Sequence, residues 1–370
     1  MNFLEAFRDP RMAGMLRDEI HELAGRRGKR DRPLSIMEVC GTHTMAISRN
    51  GIRSMLPSTI RLISGPGCPV CVTPPGYIDA AIRLADSGTH LVTFGDLLNV
   101  PGSHSTLAEA RSRGAAIHVV YSPTAAFAIA QERSGTQVVF LGIGFETTTA
   151  PIAAMMDRAH QIGIHNLSIL TAFKCVPPAL HILAIDPELH LDAFLCPAHV
   201  SAIIGAEAYE PVCRAHAIPC VIAGFEPLDI LYGIRGILQQ VLHREARVDN
   251  QYNRVVKPSG NRKALDLLAR CFQPSDADWR GIGVLPASGL TFRENWSTFD
   301  AERRFDLRVE KGTVNPACQC GNVLKGKILP TACPLFGTAC TPSRPIGPCM
   351  VSNEGTCSAY FRYEGKGVPS

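Results

Sequence analysis

Between residues 34 and 223 the chain alternates short apolar, often β-branched runs with stretches of helical periodicity. The runs at 34–39, 60–64, 90–94, 116–121, 138–143, 167–171, 193–195 and 219–223 have the length and composition of buried strands. Between most of them, 77–85, 106–113, 153–162 and 200–217 repeat apolar residues at the spacing of one helix face. Upstream, Phe3, Phe7, Leu16, Ile20 and Leu23 predict an amphipathic helix over 2–23, with Pro10 as a break and a Gly-Arg-rich turn at 25–29 as its end. Downstream, 228–244 predicts one long helix and 262–272 another. Strand alternating with helix predicts an α/β fold of parallel sheets covered by helices.

A chain of 370 residues is too long for one core, so two or three domains are expected. The pattern favours two parallel-sheet α/β lobes, with the break near 122–133, followed by an irregular Cys-rich C-terminal domain. The expected boundaries are 1–122 and 123–247 for the lobes and 248–370 for the rest. Residues 250–261 are polar, carry Pro258 and Gly260, and read as a crossing segment. The last 60 residues are rich in Cys, Pro and Gly with little periodicity, and such a segment needs a staple or a metal to fold.

Composition is that of an ordinary globular protein, 46% hydrophobic and 19% charged. A net charge of +4, with one basic cluster at 26–32, makes no case for nucleic acid. Glu5, Arg8 and Asp9 stand where a signal peptide would need an apolar core, and no apolar stretch is long enough for a membrane span, so a cytoplasmic protein is expected. In a reducing compartment, fourteen cysteines point to metal or redox work rather than to staples. Six of them (Cys318, Cys320, Cys333, Cys340, Cys349 and Cys357) fall in the last 53 residues.

Of these, Cys320, Cys333, Cys340 and Cys357 offer four thiolates in a Pro-studded tail, with Cys318 and Cys349 as competitors. Four thiolates suit a [4Fe–4S] cluster or a structural zinc. Zinc sites usually take tight CxxC pairs, so the wide spacing favours the cluster, with unligated thiols as the remaining alternative. Cys68-Pro-Val-Cys71, between Gly65-Pro66-Gly67 and Pro74-Pro75, is a CxxC that can cycle between dithiol and disulfide, or supply half of a zinc site. A helix starting near Pro75 would lower its thiol pKa. Cys40-Gly-Thr-His43 sets a thiol and an imidazole three residues apart at a strand end, as a nucleophile pair, as ligands for one metal, or as a buried Cys before a capped helix. Other strand ends carry Asp96, Glu146, Lys174, His199 and Glu226, each readable alone as a cap or turn and together as the polar edge of a cleft. Gly142-Ile-Gly144 lacks the third glycine of a dinucleotide fingerprint. Cys175, Cys196, Cys213, Cys220 and Cys271 read as small core residues.

The runs CGTHT, SGPGCPVC, FGDLLNVPGS, GFETTTAP, FEPLDIL and WRGIGVLPASGL, with the tail from CGNVLKG to MVSNEGTCSAY, resemble the HypD family of hydrogenase maturation proteins from about Leu34 to Tyr363. The resemblance implies two α/β lobes plus a C-terminal [4Fe–4S] domain held by Cys320, Cys333, Cys340 and Cys357. It implies a redox pair at Cys68 and Cys71, a transferred iron on Cys40 with a partner cysteine, His43 beside it, and a role for Glu146. The implied partners are a HypC-type small chaperone and a HypE-type cyanide donor charged by HypF. The implied work is assembly of the Fe(CN)2CO unit of [NiFe]-hydrogenases by a redox-active scaffold rather than a free-standing enzyme. Two rival functions are a cluster-dependent protein disulfide reductase with Cys40 as a resolving thiol, and a zinc-stapled binding protein.

Overall fold

The computed structural model describes residues 5–28 and 30–364. Its strands are β1 (Leu34–Glu38), β2 (Ile60–Ser64), β3 (His90–Phe94), β4 (Ile117–Val120), β5 (Val138–Gly144), β6 (Leu167–Phe173), β7 (Ala193–Pro197), β8 (Cys220–Ala223), β9 (Val248–Asn250), β10 (Phe272–Trp279) and β11 (Gly283–Phe292). The first eight fall on the eight apolar runs read from the sequence. One sheet has the order β2-β1-β7-β8-β9 and the other β4-β3-β5-β6, with every pair parallel. The α/β class is therefore as expected.

Sheet membership divides the chain differently from the expected break. Residues 122–133 hold the crossover helix Pro123–Glu132 between β4 and β5, inside one sheet. The chain leaves the first sheet after β2, builds the second from β3 to β6, and returns to the first with β7. A two-stranded β3–β4 unit could not bury its faces alone, and β5 completes it by pairing beside β3.

Three local readings also change. Pro10 opens the helix Pro10–Arg26 instead of breaking one, because its missing N–H costs nothing at the first helical position. The start of the expected helix, 2–4, lies outside the described residues. The stretch 200–217 is split into helices Ala198–Ile204 and Glu210–His216 by Gly205, whose φ of +86° only glycine adopts freely. A Cβ there would sit 2.3 Å from the Pro258 carbonyl oxygen of the crossing segment. Finally, β10 and β11 form an antiparallel hairpin that the sequence reading missed.

That hairpin is a clamp. The Trp279 indole is buried and donates to Ser288 Oγ at 2.8 Å. The Arg280 N–H donates to the Val72 carbonyl at 2.7 Å, and the Cys175 N–H to the Ser288 carbonyl at 2.8 Å. The hairpin thus ties the carboxyl end of β6 to the CPVC loop. One buried apolar cluster continues through Cys68, Cys71, Leu141, Trp279, Cys320 and Cys349, so both sheets and the C-terminal segment share a core. Among its described residues the tail holds only short helices, including Cys320–Leu324, Pro348–Val351 and Thr356–Tyr363. Among the described residues no helix is long and apolar enough to cross a membrane.

Candidate functional site

Cys40 lies two residues past β1 in extended backbone and caps the N-terminus of the helix Gly41–Arg49. Beside it, the loop after β2 turns at Gly65-Pro66-Gly67 into the CPVC segment. The Gly65 N–H donates to the Glu38 carbonyl at 2.8 Å, and the Gly41 N–H to the Gly67 carbonyl at 2.9 Å. A Cβ on Gly67 would meet the Cys40 N, Cα and C at 2.3, 2.4 and 2.6 Å. Only glycine lets the two loops touch this closely.

Cys68 and Cys71 are joined as a disulfide with Cα atoms 5.3 Å apart, and both are buried. The Cys71 N–H points at Cys68 Sγ, 3.2 Å away. On its far side, Cys71 Sγ lies 3.8 Å from the Pro348 carbonyl oxygen, one residue before Cys349. The helix Pro75–Asp86 begins four residues beyond Cys71, near the expected place.

The Cys40 thiol is pushed up to about 12 by burial and by the nearby Glu354 carboxylate, while the backbone N–H groups of His43 and Thr42 pull the other way. It is a neutral thiol at pH 7, and a metal must displace its proton to bind. His43 is fully buried. Its Nε2–H donates to the carbonyls of Ala223, at 3.1 Å, and Gly224, at 2.9 Å, which fixes the tautomer. Nδ1 is left as a buried acceptor with no partner among the described residues. Burial holds this imidazole down to about 4, so it is neutral at physiological pH.

Glu354, which the sequence reading missed, reaches the site from the C-terminal tail. It accepts from Thr42 Oγ1 at 2.6 Å and lies so close to Gly41 that a Cβ there would meet its own Cβ at 2.4 Å. His199, after β7, is held down by burial and raised by Glu354. Asp96, after β3, is raised by burial and, less, by Glu354. The rings of His43 and His199 pack on Phe225 at 4.8 and 4.2 Å. Two strand-end groups that read singly as caps thus converge on one corner, where both sheets and the tail meet. Nothing local marks Glu354, because its hydrogen-bond partner Thr42 lies 312 residues away.

The six C-terminal cysteines line a single cavity, otherwise walled by Leu335, Phe336 and Met350. Cys318 and Cys349 are there with the four candidate ligands, so geometry does not separate the two sets. Cys320 is held well below the usual thiol range by hydrogen bonds from Cys318 and Cys349. Among the described residues no three His, Cys, Asp or Glu side chains converge as a single-ion site. Six thiols lining one apolar cavity offer the sulfur donors that a cluster or a zinc ion takes.

Glu146 is elsewhere. It opens the helix after β5, and its Oε1 accepts from the Val176 N–H at 3.0 Å. Oε2 has no partner among the described residues, and burial pushes the carboxyl up to about 7. Its hydrogen bond runs to the start of the helix Val176–Ile185 after β6, not to the Cys40 corner. Cys196, Cys213, Cys220 and Cys271 are buried in the core; Cys175 is partly buried beside Glu146.

Comparison with known proteins agrees with the motifs. The family profile described as "HypD: Hydrogenase formation hypA family" matches residues 12–364. The hydrogenase maturation factor HypD of Azotobacter vinelandii is 44% identical over 371 residues, covering 98% of this chain and 97% of that one. The factors of the same name from Cupriavidus necator and Escherichia coli are 42% and 40% identical, over 98% of this chain and 97% and 98% of theirs. A motif-bearing corner of this kind, on a chain similar to these proteins from end to end, has one conclusion: the chain belongs to the HypD family of hydrogenase maturation factors.

Proposed function

We propose that this chain is a redox-active scaffold on which, with a HypC-type small chaperone, the Fe(CN)2CO unit of a [NiFe]-hydrogenase is assembled, cyanide coming from a HypE-type donor. The observation that carries this reading is the seating of the Cys68–Cys71 loop between two other sulfur sites. Its Gly67 rests on the backbone of Cys40, and its Cys71 sulfur abuts the carbonyl of Pro348 beside the six-cysteine cavity.

The cargo iron is the substrate. Cys40 would bind it after giving up its proton, with a chaperone cysteine as second ligand. A thiolate suits a soft, low-valent iron that must later leave. His43 is already neutral, with Nε2 spent on two carbonyls, so its open Nδ1 can accept a proton or a hydrogen bond without a tautomer change. The Glu354 carboxylate, held by Thr42, supplies negative charge opposite a metal cation and resists Cys40 ionisation until the cation arrives. The CPVC pair closes and opens by two electrons and two protons. Cys320, Cys333, Cys340 and Cys357 would hold a [4Fe–4S] cluster, which supplies one-electron chemistry when bound. Both CPVC sulfurs are buried, which keeps them from attacking a disulfide of another protein and weighs against the reductase alternative.

Iron content tests this. Protein isolated without oxygen, in complex with its small partner, should hold the roughly four irons of the cluster and one more. Cys40→Ala should lose only the extra one. A pure disulfide reductase would show the same iron content in both.

A further inference from the structure

One cavity has no cysteine in its lining. It holds about 440 Å³ and opens between the carboxyl end of β6 and the β10–β11 hairpin. Phe173 and Tyr77 line it, and Lys174, just after β6, Asp278 of β10 and Glu302 of the helix Ala301–Arg304 reach it from three places in the chain. The carboxyl edge of a parallel sheet is where α/β folds place ligands.

Lys174 is only 3% exposed. Among the described residues its ammonium makes neither an ion pair within 4.0 Å nor a hydrogen bond, although buried lysines are almost always paired. Burial pushes it down to about 8, with Asp278 as the opposing charge. Among the described residues the carboxylates of Asp278 and Glu302 likewise accept no hydrogen bond, and Glu302 is raised by burial. A third carboxylate, Asp276, also lines the cavity but is engaged by the Ala287 N–H at 3.0 Å; the buried cation and the other two carboxylates thus face the same space without satisfying one another.

This set of charges selects among ligands. A simple anion would reach Lys174 but confront the three carboxylates. A simple cation would meet Lys174 itself, and the described residues contain no grouping suited to one metal ion. Only a molecule carrying both signs a few bonds apart satisfies all three groups. We propose that this cavity is a binding site for a small zwitterion of the α-amino-acid class, its carboxylate on Lys174 and its ammonium on Asp278 and Glu302. The walls of Phe173, Tyr77, Leu290 and Val309 favour an apolar side chain. The site adjoins the redox loop: Pro74 and Tyr77, at the start of the helix after CPVC, line it, and the Tyr77 hydroxyl donates to the Leu170 carbonyl of β6 at 2.7 Å. This inference is independent of the assembly reading and survives its failure.

The test is titration calorimetry and ligand-detected NMR on the intact chain, handled without oxygen. The probes are alanine, leucine and phenylalanine, with acetate, methylammonium and magnesium as controls. At least one amino acid should bind one per chain with a millimolar or tighter dissociation constant, and the controls should not. Lys174→Met and Asp278→Asn should each weaken binding by roughly tenfold or more while the thermal midpoint shows both variants folded. Lys174→Met, which removes a buried charge, should not lower that midpoint. The proposal is overturned if no amino acid binds, if acetate or magnesium binds as well as the amino acids, or if both folded variants bind like the parent.

Discussion

A methyl group at residue 67 has nowhere to go. In Gly67→Ala the new Cβ would lie 2.3–2.6 Å from three backbone atoms of Cys40, where ordinary contact begins at 3.4 Å. The loop must retreat by about 1 Å. Neither wall yields easily, because both are backbone and are tied by the Gly41-to-Gly67 and Gly65-to-Glu38 hydrogen bonds, at 2.9 and 2.8 Å. Overpacking of this kind costs about 1–3 kcal/mol, and losing one of the two hydrogen bonds about 1 kcal/mol more. Urea unfolding of the anaerobic protein should therefore show a loss of about 2–4 kcal/mol. The functional loss should be larger than stability alone explains, since a 1 Å misplacement of reacting groups can cost on the order of 10²-fold. Maturation of a [NiFe]-hydrogenase in cells carrying only the variant reads this out. Gly65→Ala is the control: its nearest neighbour is the flexible Met37 side chain, at 2.8 Å, so its effect should be smaller. Stability within about 0.5 kcal/mol of the parent, together with full maturation, would refute the close seating of the CPVC loop on Cys40.

Two other perturbations follow from buried charge and from the cysteine cavity. Glu38 is fully buried and pushed up to about 7, chiefly by desolvation. Its folded pKa exceeds its unfolded one, so its stabilising effect is complete below about pH 4.5 and is lost as pH rises to 7, at most about 3 kcal/mol. Glu38→Gln should flatten the stability profile over that window, and an unchanged profile would contradict it. His43, held down to about 4, works in the opposite sense: its contribution is present above about pH 6.5 and is lost as pH falls towards 4. Serine at Cys320, Cys333, Cys340 or Cys357 should bleach the brown colour of anaerobic protein, while serine at Cys318 or Cys349 should preserve it; bleaching by either of the last two would reassign the ligands.

Much of this was legible in the chain. The apolar runs revealed eight strands because buried parallel strands are written as continuous β-branched segments, as at 138–143. The hairpin was not legible: β10 carries Pro274, Asp276 and Asp278, is largely solvent-facing, and shows no clean alternation. β9 is three residues long. The pairing of β1 with β7 was equally hidden, because strand order is a long-range choice that local pattern does not record. At the site, the Cys40, Cys68 and Cys71 motifs could be read directly because glycine and proline punctuate them. Glu354 could not, since a lone acid in a Ser-Asn-Glu-Gly turn has the local signature of any surface loop. The burial of Cys40, and hence its neutral thiol, also needed the tail folded over it.

The most direct measurement of the assembly reading is infrared spectroscopy of the chain copurified with its small chaperone. The parent complex should show cyanide and CO stretches of an iron-bound unit. Cys40→Ala should lose them while keeping its fold and its brown colour, and Cys196→Ala should keep all three. Cyanide and CO bands at full strength in the Cys40→Ala complex would contradict the assignment of Cys40 as the ligand on which the iron is built.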